Sequence, residues 1–239
     1  MPSRWRWTLR DQTQPQRRVL HATLSRWLDT DHHAKAKPWS WSMRPTSDGH
    51  VIDIGLVDDA LAEPLMTGFE HYRRHGRGQA SAASLAQIEA VTWERLARGA
   101  AARAWTVRFA SPVTFRRGDR FLPWPAPSSV FGSLRATWRQ FAAPVVGDVQ
   151  LDLTLDPIVV TAVDGASVVE KVVLRDPPPG SGDPVAVTVG GFLGRVHYAV
   201  DGPVDPTTVD SLVRLAPFAG VGAYTTRGFG GVHPADGRH

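Results

Sequence analysis

Leu215-Ala-Pro-Phe-Ala-Gly-Val-Gly-Ala-Tyr-Thr-Thr-Arg-Gly-Phe-Gly-Gly-Val232 places five glycines between Gly220 and Gly231. Helical apolar spacing over Thr207–Phe218 leads into this stretch, with Asp205 or Thr207 as cap candidates, and a strand-like end, Gly228–His233, leads out. Glycine is needed where backbone takes φ > 0 or comes within touching distance of a ligand. Successive exposed amides in such a loop form a concave anion site, and Arg227 adds charge beside it. Gly220, Gly222, Gly228 and Gly230 are therefore candidate anion-contacting positions together with Arg227. A dinucleotide-binding fingerprint runs strand, glycines, helix. Here the order is helix, glycines, strand, so that reading fails, and the stretch reads as the closing helix–strand step of an α+β unit.

Working back from it, Val185–Val200 reads as a strand pair around Gly190, Gly191 and Gly194. Val149–Ala162 and Glu170–Leu174 are extended, Ser128–Phe141 is helical and Ala104–Phe109 is a strand. Pro177–Pro184 is a surface loop, because strand-like sequence resumes on both sides. The N-terminal half shows the same order more clearly. Ser3–Leu9 alternates as a strand does. Gln14–Leu28 carries Val19, Leu20, Ala22, Leu24, Trp27 and Leu28 at helical spacing. Strands Trp39–Arg44 and His50–Gly55 flank the turn residues Pro45–Gly49. Ala60–Tyr72 is a second helix, and Ser84–Leu96 contains a further strand. Strand, helix, strand, strand, helix, strand is the split βαβ, or ferredoxin-like, unit. The expected fold is α+β: two tandem ferredoxin-like (βαββαβ, RRM-like) domains, 1–100 and 101–239, with the boundary near 99–103 and the glycine-rich loop in the second.

With 239 residues and 42% hydrophobic content, the chain can bury a substantial core. No apolar run reaches the length of a membrane helix, and the N-terminus lacks an apolar core after its charges, so it is no signal peptide. The chain has no cysteine, which excludes disulfides and thiolate metal sites. A cytoplasmic protein without a membrane partner is the plain expectation. The formal charge is only +4, but 24 of 27 basic residues are arginine, Lys35, Lys37 and Lys171 being the exceptions. Arginine forks onto phosphate and stacks on bases. A GC-rich codon bias accounts for much of that arginine, yet the pI near 9.9 still favours a polyanionic partner.

Gly220-Val-Gly-Ala-Tyr-Thr-Thr-Arg-Gly-Phe-Gly-Gly231 resembles the C-terminal glycine-rich motif of the Cas-six endoribonucleases of the RAMP superfamily, which lies between the last helix and last strand. Ser111-Pro-Val-Thr-Phe115, Leu122-Pro-Trp-Pro-Ala-Pro-Ser-Ser-Val-Phe-Gly-Ser-Leu134 and Gly190-Gly-Phe-Leu-Gly194 are similar to further segments of that family. So are Val19–Leu28 and Lys37-Pro-Trp-Ser-Trp-Ser42. The resemblance spans most of the chain, and its segments occur in the family's order. It implies metal-independent cleavage of precursor crRNA inside its repeats, by attack of a ribose 2′-OH on the adjacent phosphate to leave a 2′,3′-cyclic phosphate. The implied partners are a repeat RNA, expected as a hairpin, and subunits of a CRISPR effector complex, with the protein a monomer or homodimer. The resemblance implies no cofactor. The rival reading is a catalytically inactive RNA-binding subunit of such a complex.

Histidine suits both proton transfers, since its ordinary pKa is near neutral, and a cation holds the developing charge. By the resemblance, His32 or His33 in the polar loop fits the family's histidine, Lys37 its lysine, and His21 a position where some members carry tyrosine or a second histidine. The plain alternatives are a helix-face histidine satisfied by neighbours and an exposed loop pair. Arg116, Arg117 and Arg120 in a glycine-containing loop, and Arg135 and Arg139 at i, i+4 on a helix, are candidate phosphate contacts, or else solvated or salt-bridged surface. Asp31-His32-His33 spells the signature of metal-dependent DHH phosphoesterases, but Asp11 is the sole carboxylate before Asp29. His71 and His75 lie one helical turn apart without a spaced carboxylate. No metal site is expected.

Overall fold

A computed structural model of the chain describes residues 1–10, 15–28, 37–75, 83–152, 157–175, 185–202 and 204–233. In chain order, the first unit has β1 (Ser3–Leu9), α1 (Arg17–Leu28), β2 (Trp39–Thr46), β3 (Gly49–Leu56), α2 (Ala62–His75) and β4 (Ser84–Ala90). A short helix α3 (Trp93–Ala97) follows. Next come β5 (Ala104–Val113), a small hairpin β6 (Phe115–Arg117) and β7 (Arg120–Leu122), α4 (Pro127–Thr137) and α5 (Ala143–Val146). The second unit closes with β8 (Ile158–Arg175), β9 (Val185–Val200), α6 (Pro206–Ala219) and β10 (Val232–His233). The sheets run β2-β3-β1-β4 and β10-β5-β9-β8. Each has the unit's first and third strands at its centre, the ferredoxin-like arrangement in tandem.

The apolar spacing of α1 buries Leu20, Leu24 and Leu28, and α2 buries Leu65 and Phe69. Both close over Trp7, Trp39, Trp41, Ile52 and Ile54 of the first sheet. Trp27 lies against the backbone of α2, where a Cβ at Gly68 would enter its ring. The second core collects Val107, Phe109, Phe131, Leu134, Tyr198, Leu212 and Leu215, and also takes Val91, Trp93 and Leu96 from the segment before β5. Asp210 is buried there but satisfied, accepting from Trp105 Nε1 at 2.9 Å and from the Ala100 amide at 2.7 Å. The two units touch closely: a Cβ at Gly55 on β3 would strike the Phe218 carbonyl of α6, and Ser40 Oγ donates to that carbonyl at 3.3 Å.

Three strands of the second sheet differ from the sequence expectation. Ile158–Ala162 of the first extended piece and all of 170–174 belong to one strand, β8, whereas Val149–Asp152 are not strand. The two pieces join because Asp164-Gly165 is no turn: Gly165 sits opposite Gly194. Gly194 has φ +145, and a Cβ there would strike the Asp164 carbonyl, so the glycine pair lets the strands pass closely. The expected strand pair 185–200 is likewise one strand, β9, so β8 and β9 form a single long hairpin. The last strand shrinks to Val232–His233, because the Gly228 and Phe229 amides bond back to Thr225 and Tyr224 of their own loop, and Gly230 and Gly231 meet β5 only through isolated bonds to Pro112, Ser111 and Ala110. Among the described residues, no helix is long and apolar enough to cross a membrane.

Candidate active site

The glycine-rich loop leaves α6 at Gly220 (φ +68) and returns through Gly228 (φ +86) and Gly230 (φ +64). Its glycine amides are spent inside the protein. Gly220 N–H donates to the Ala216 carbonyl at 2.9 Å and Gly230 N–H to the Pro112 carbonyl at 2.8 Å. Gly222 N–H donates to Ser133 Oγ at 2.9 Å and Gly231 N–H to Ser111 Oγ at 2.8 Å. The concave anion site expected from successive glycine amides therefore does not form at these four positions. The glycines are needed for close packing: a Cβ at Gly222 would meet the Thr114 carbonyl, and one at Gly230 the Val221 carbonyl. Tyr224, Thr225 and Thr226 of the loop line one neighbouring cleft and Arg227 the other.

This loop of the second unit docks on the first. Trp41 Nε1 on β2 donates to the Thr226 carbonyl at 2.6 Å. His21 Nδ1 on α1 lies 2.7 Å from the same oxygen, and Arg17 Nη1 donates to the Gly228 carbonyl at 3.3 Å. Arg17 also lies over the Phe229 ring, 5.7 Å from its centre. The outer half of the β8–β9 hairpin closes over the other side, with Val172 and Val189 packed on Phe229. Arg227 Nη1 reaches the Val173 carbonyl at 2.9 Å, and Glu170 stands 3.9 Å from Arg17. Partial burial pulls the Arg227 guanidinium below its usual pKa.

Two clefts flank the loop. One, of about 320 Å³, is lined by His21, Arg17, Arg18, Glu170, Lys171 and Arg227. One histidine thus stands among four cations and one carboxylate, an arrangement able to hold a phosphate by charge with a proton acceptor beside it. The other, of about 630 Å³, is lined by Lys37, Arg116, Arg117, Phe121 and Tyr224, and by Gly220 and Gly222 of the loop. Tyr224 takes φ +60, the one non-glycine residue at positive φ among those described, and stacks on Phe121 at 5.2 Å. A tyrosine in that conformation carries backbone strain of a kind that clusters at ligand sites.

Of the residues singled out in the sequence, His21 and Arg227 share the first cleft, and Lys37, Arg116 and Arg117 the second. Arg120 pairs with Arg117 across the β6–β7 hairpin. Arg135 and Arg139 are not brought to the loop's two clefts: Arg139 is paired with Asp148 at 2.8 Å, and Arg135 lines a third cleft with Asp152 and Asp201. His32 and His33 lie outside the described residues. His71 and His75 stack on each other at 4.4 Å, and among the described residues no group of three or more metal-ligating side chains is gathered. Sequence reasoning missed Arg17, Arg18, Trp41 and Lys171. The first two stand four and three residues before His21, a spacing that puts them on its face of the helix. Lys171 has no local signal at all, because only the long hairpin brings it across.

Residues 107–232, more than half of the chain, match the family described as CRISPR-associated endoribonuclease Cas6. A Cas6 product complex is similar at a TM-score of 0.75 with 21% identity, covering 98% of this chain and 99% of that one. Thermus thermophilus Cas6 gives 0.62 with 20% identity over 98% of each chain. The product of a Cas6-related gene from Pyrococcus furiosus gives 0.60 with 11% identity over the full length of both. No curated protein matches by sequence.

Proposed function

The chain belongs to the CRISPR-associated endoribonuclease Cas6 family, and on that premise we propose that it cuts precursor crRNA within the repeats without a metal ion. The observation that carries the reading is His21 in a cationic cleft beneath the glycine-rich loop, with Arg18 and Lys171 beside it. A histidine takes the proton of the 2′-OH, the 2′-oxygen attacks the adjacent phosphorus, and the P–O5′ bond breaks as the leaving 5′-oxygen takes a proton. The product ends are a 2′,3′-cyclic phosphate and a 5′-hydroxyl. His21 serves one proton transfer, and His32 or His33 the other. Lys171 and Arg18 hold the charge that develops on the phosphorane.

Flanking RNA lies along the second cleft, where Arg116 and Arg117 take phosphates, Arg120 extends the same basic hairpin, and Phe121 and Tyr224 offer aromatic surface. Lys37, expected from the resemblance to act in catalysis, lines this cleft and not that of His21, and is assigned to phosphate contact instead. Arg227 and the backbone shaped by Gly220, Gly222, Gly228 and Gly230 divide the two clefts. Arg135 and Arg139 serve the outer course of the RNA. The repeat is a hairpin, and the protein stays with its product among the other subunits of the effector complex. A repeat RNA incubated with the protein in excess EDTA tests the activity. Cleavage with a cyclic phosphate end is the expected result. Tight binding without cleavage would instead identify the inactive RNA-binding subunit, and activity restored only by Mn²⁺ would overturn the metal-free mechanism.

A further inference from the structure

We infer that the Thr226 carbonyl, held in place by Trp41, fixes which nitrogen of His21 carries the proton. A carbonyl oxygen only accepts, so at 2.7 Å the His21 Nδ1 must be the donor. The neutral ring is therefore the Nδ1–H tautomer, with Nε2 as its basic nitrogen. Ser25 Oγ, one helical turn away, is 3.4 Å from Nδ1, too far to compete with the carbonyl. Trp41 Nε1, at 2.6 Å, occupies the second lone pair of the same oxygen, and the indole is fully buried in the first core. Trp41 thus aims the carbonyl, and the carbonyl orients the imidazole, as outer partners orient ring nitrogens elsewhere. Stacking of His21 near Trp39, 6.4 Å between centres and 23° between planes, restrains the ring's tilt.

The arrangement gives the glycine-rich loop a second task. The loop belongs to the second unit and the histidine to the first, so the basic nitrogen is defined only when the two units are docked. Trp41 is a positioning residue that acts through Thr226. The importance of this tautomer for cleavage rests on the role proposed for His21.

Long-range ¹H–¹⁵N correlation spectra of protein labelled with ¹⁵N-histidine, with His21 assigned by its absence in His21→Ala, report the tautomer directly. The expected spectrum shows Nδ1–H. In Trp41→Phe, which keeps an aromatic ring but removes the donor, the signal shifts toward a mixture containing Nε2–H. The single-turnover rate at saturating RNA falls at least fivefold while RNA affinity stays within twofold. Nε2–H in the unaltered protein overturns the inference, and that result needs no variant to fold. An unchanged spectrum and rate in Trp41→Phe overturn the part assigned to Trp41. Unimpaired cleavage by His21→Ala would defeat the catalytic role of His21 while leaving the spectrum as it is, so the two failures are told apart.

Discussion

Gly228 faces Trp41: a Cβ added at Gly228 would stand 2.9 Å from Cη2 of the indole, at a backbone φ of +86. The contact ties the C-terminal loop to a buried tryptophan of the first sheet, two residues from the carbonyl that Trp41 and His21 share. The loop is thereby an internal clasp as well as a wall of both clefts.

Gly228→Ala should destabilise the fold by about 1–3 kcal/mol, the usual cost of a side chain in a left-handed conformation, because the buried indole has little room to retreat. Denaturant unfolding measures it. The same variant should weaken RNA binding, since the displaced loop shapes both clefts. Gly230→Ala should act in the same direction, as its Cβ would strike the Val221 carbonyl.

Alanine at a proton-moving histidine should slow single-turnover cleavage by roughly 10²–10⁴ with affinity nearly intact. His21, His32 and His33 are each to be replaced and assayed on one repeat RNA. If all three variants cleave at the original rate, histidine chemistry is wrong, and the reaction rests on cations holding the RNA in line for its own attack.

Lys171→Ala should lower the maximal rate by roughly 10²–10³, the usual cost of removing one charge-stabilising donor. Lys37→Ala, in the other cleft, should raise the RNA concentration needed more than it lowers that rate. Equal effects of both variants on rate would contradict the division of labour between the clefts.

Replacing Arg116, Arg117 and Arg120 with alanine should flatten the salt dependence of RNA binding, by about 0.7 to 0.9 in log–log slope for each phosphate no longer neutralised. Arg139→Ala should change the slope less, because its guanidinium is already paired with Asp148. Filter binding across a salt series separates the two.

His233 should make stability fall in mild acid. Burial is the main influence and pulls its pKa below the ordinary value of about 6.5, outweighing the upward pull of Asp53, 3.3 Å away, while Arg4, Arg44 and Arg108 reinforce the downward shift. The unfolded chain therefore binds this proton more readily than the folded one. The neutral ring's contribution is complete above about pH 6.5 and is lost as pH falls through the lower folded value. Unfolding midpoints of His233→Gln should depend less on pH over that range.

By itself the sequence determined the two ferredoxin-like units and the helix–glycine–strand order at the C-terminus, because those rest on local periodicity. The stripe Leu20, Leu24, Leu28 on α1 and the alternation of Ser3–Leu9 need no distant partner to be read. It also singled out His21, Arg116, Arg117 and Arg227, residue types whose chemistry is evident wherever they stand. The extent of the β8–β9 hairpin was not legible, since Asp164-Gly165 has turn chemistry and only its partner Gly194 across the ladder makes it strand. Nor was the loop's role: its glycines point to close approach, but Trp41 and the Val221 carbonyl, rather than an anion on the amides, are what they approach. Lys171 joins His21 only because the hairpin folds back across α1, and the His21 tautomer depends on an oxygen 205 residues further along the chain. Such pairings are set by packing between units, where long-range burial and hydrogen-bond satisfaction decide, and local spacing carries no record of them.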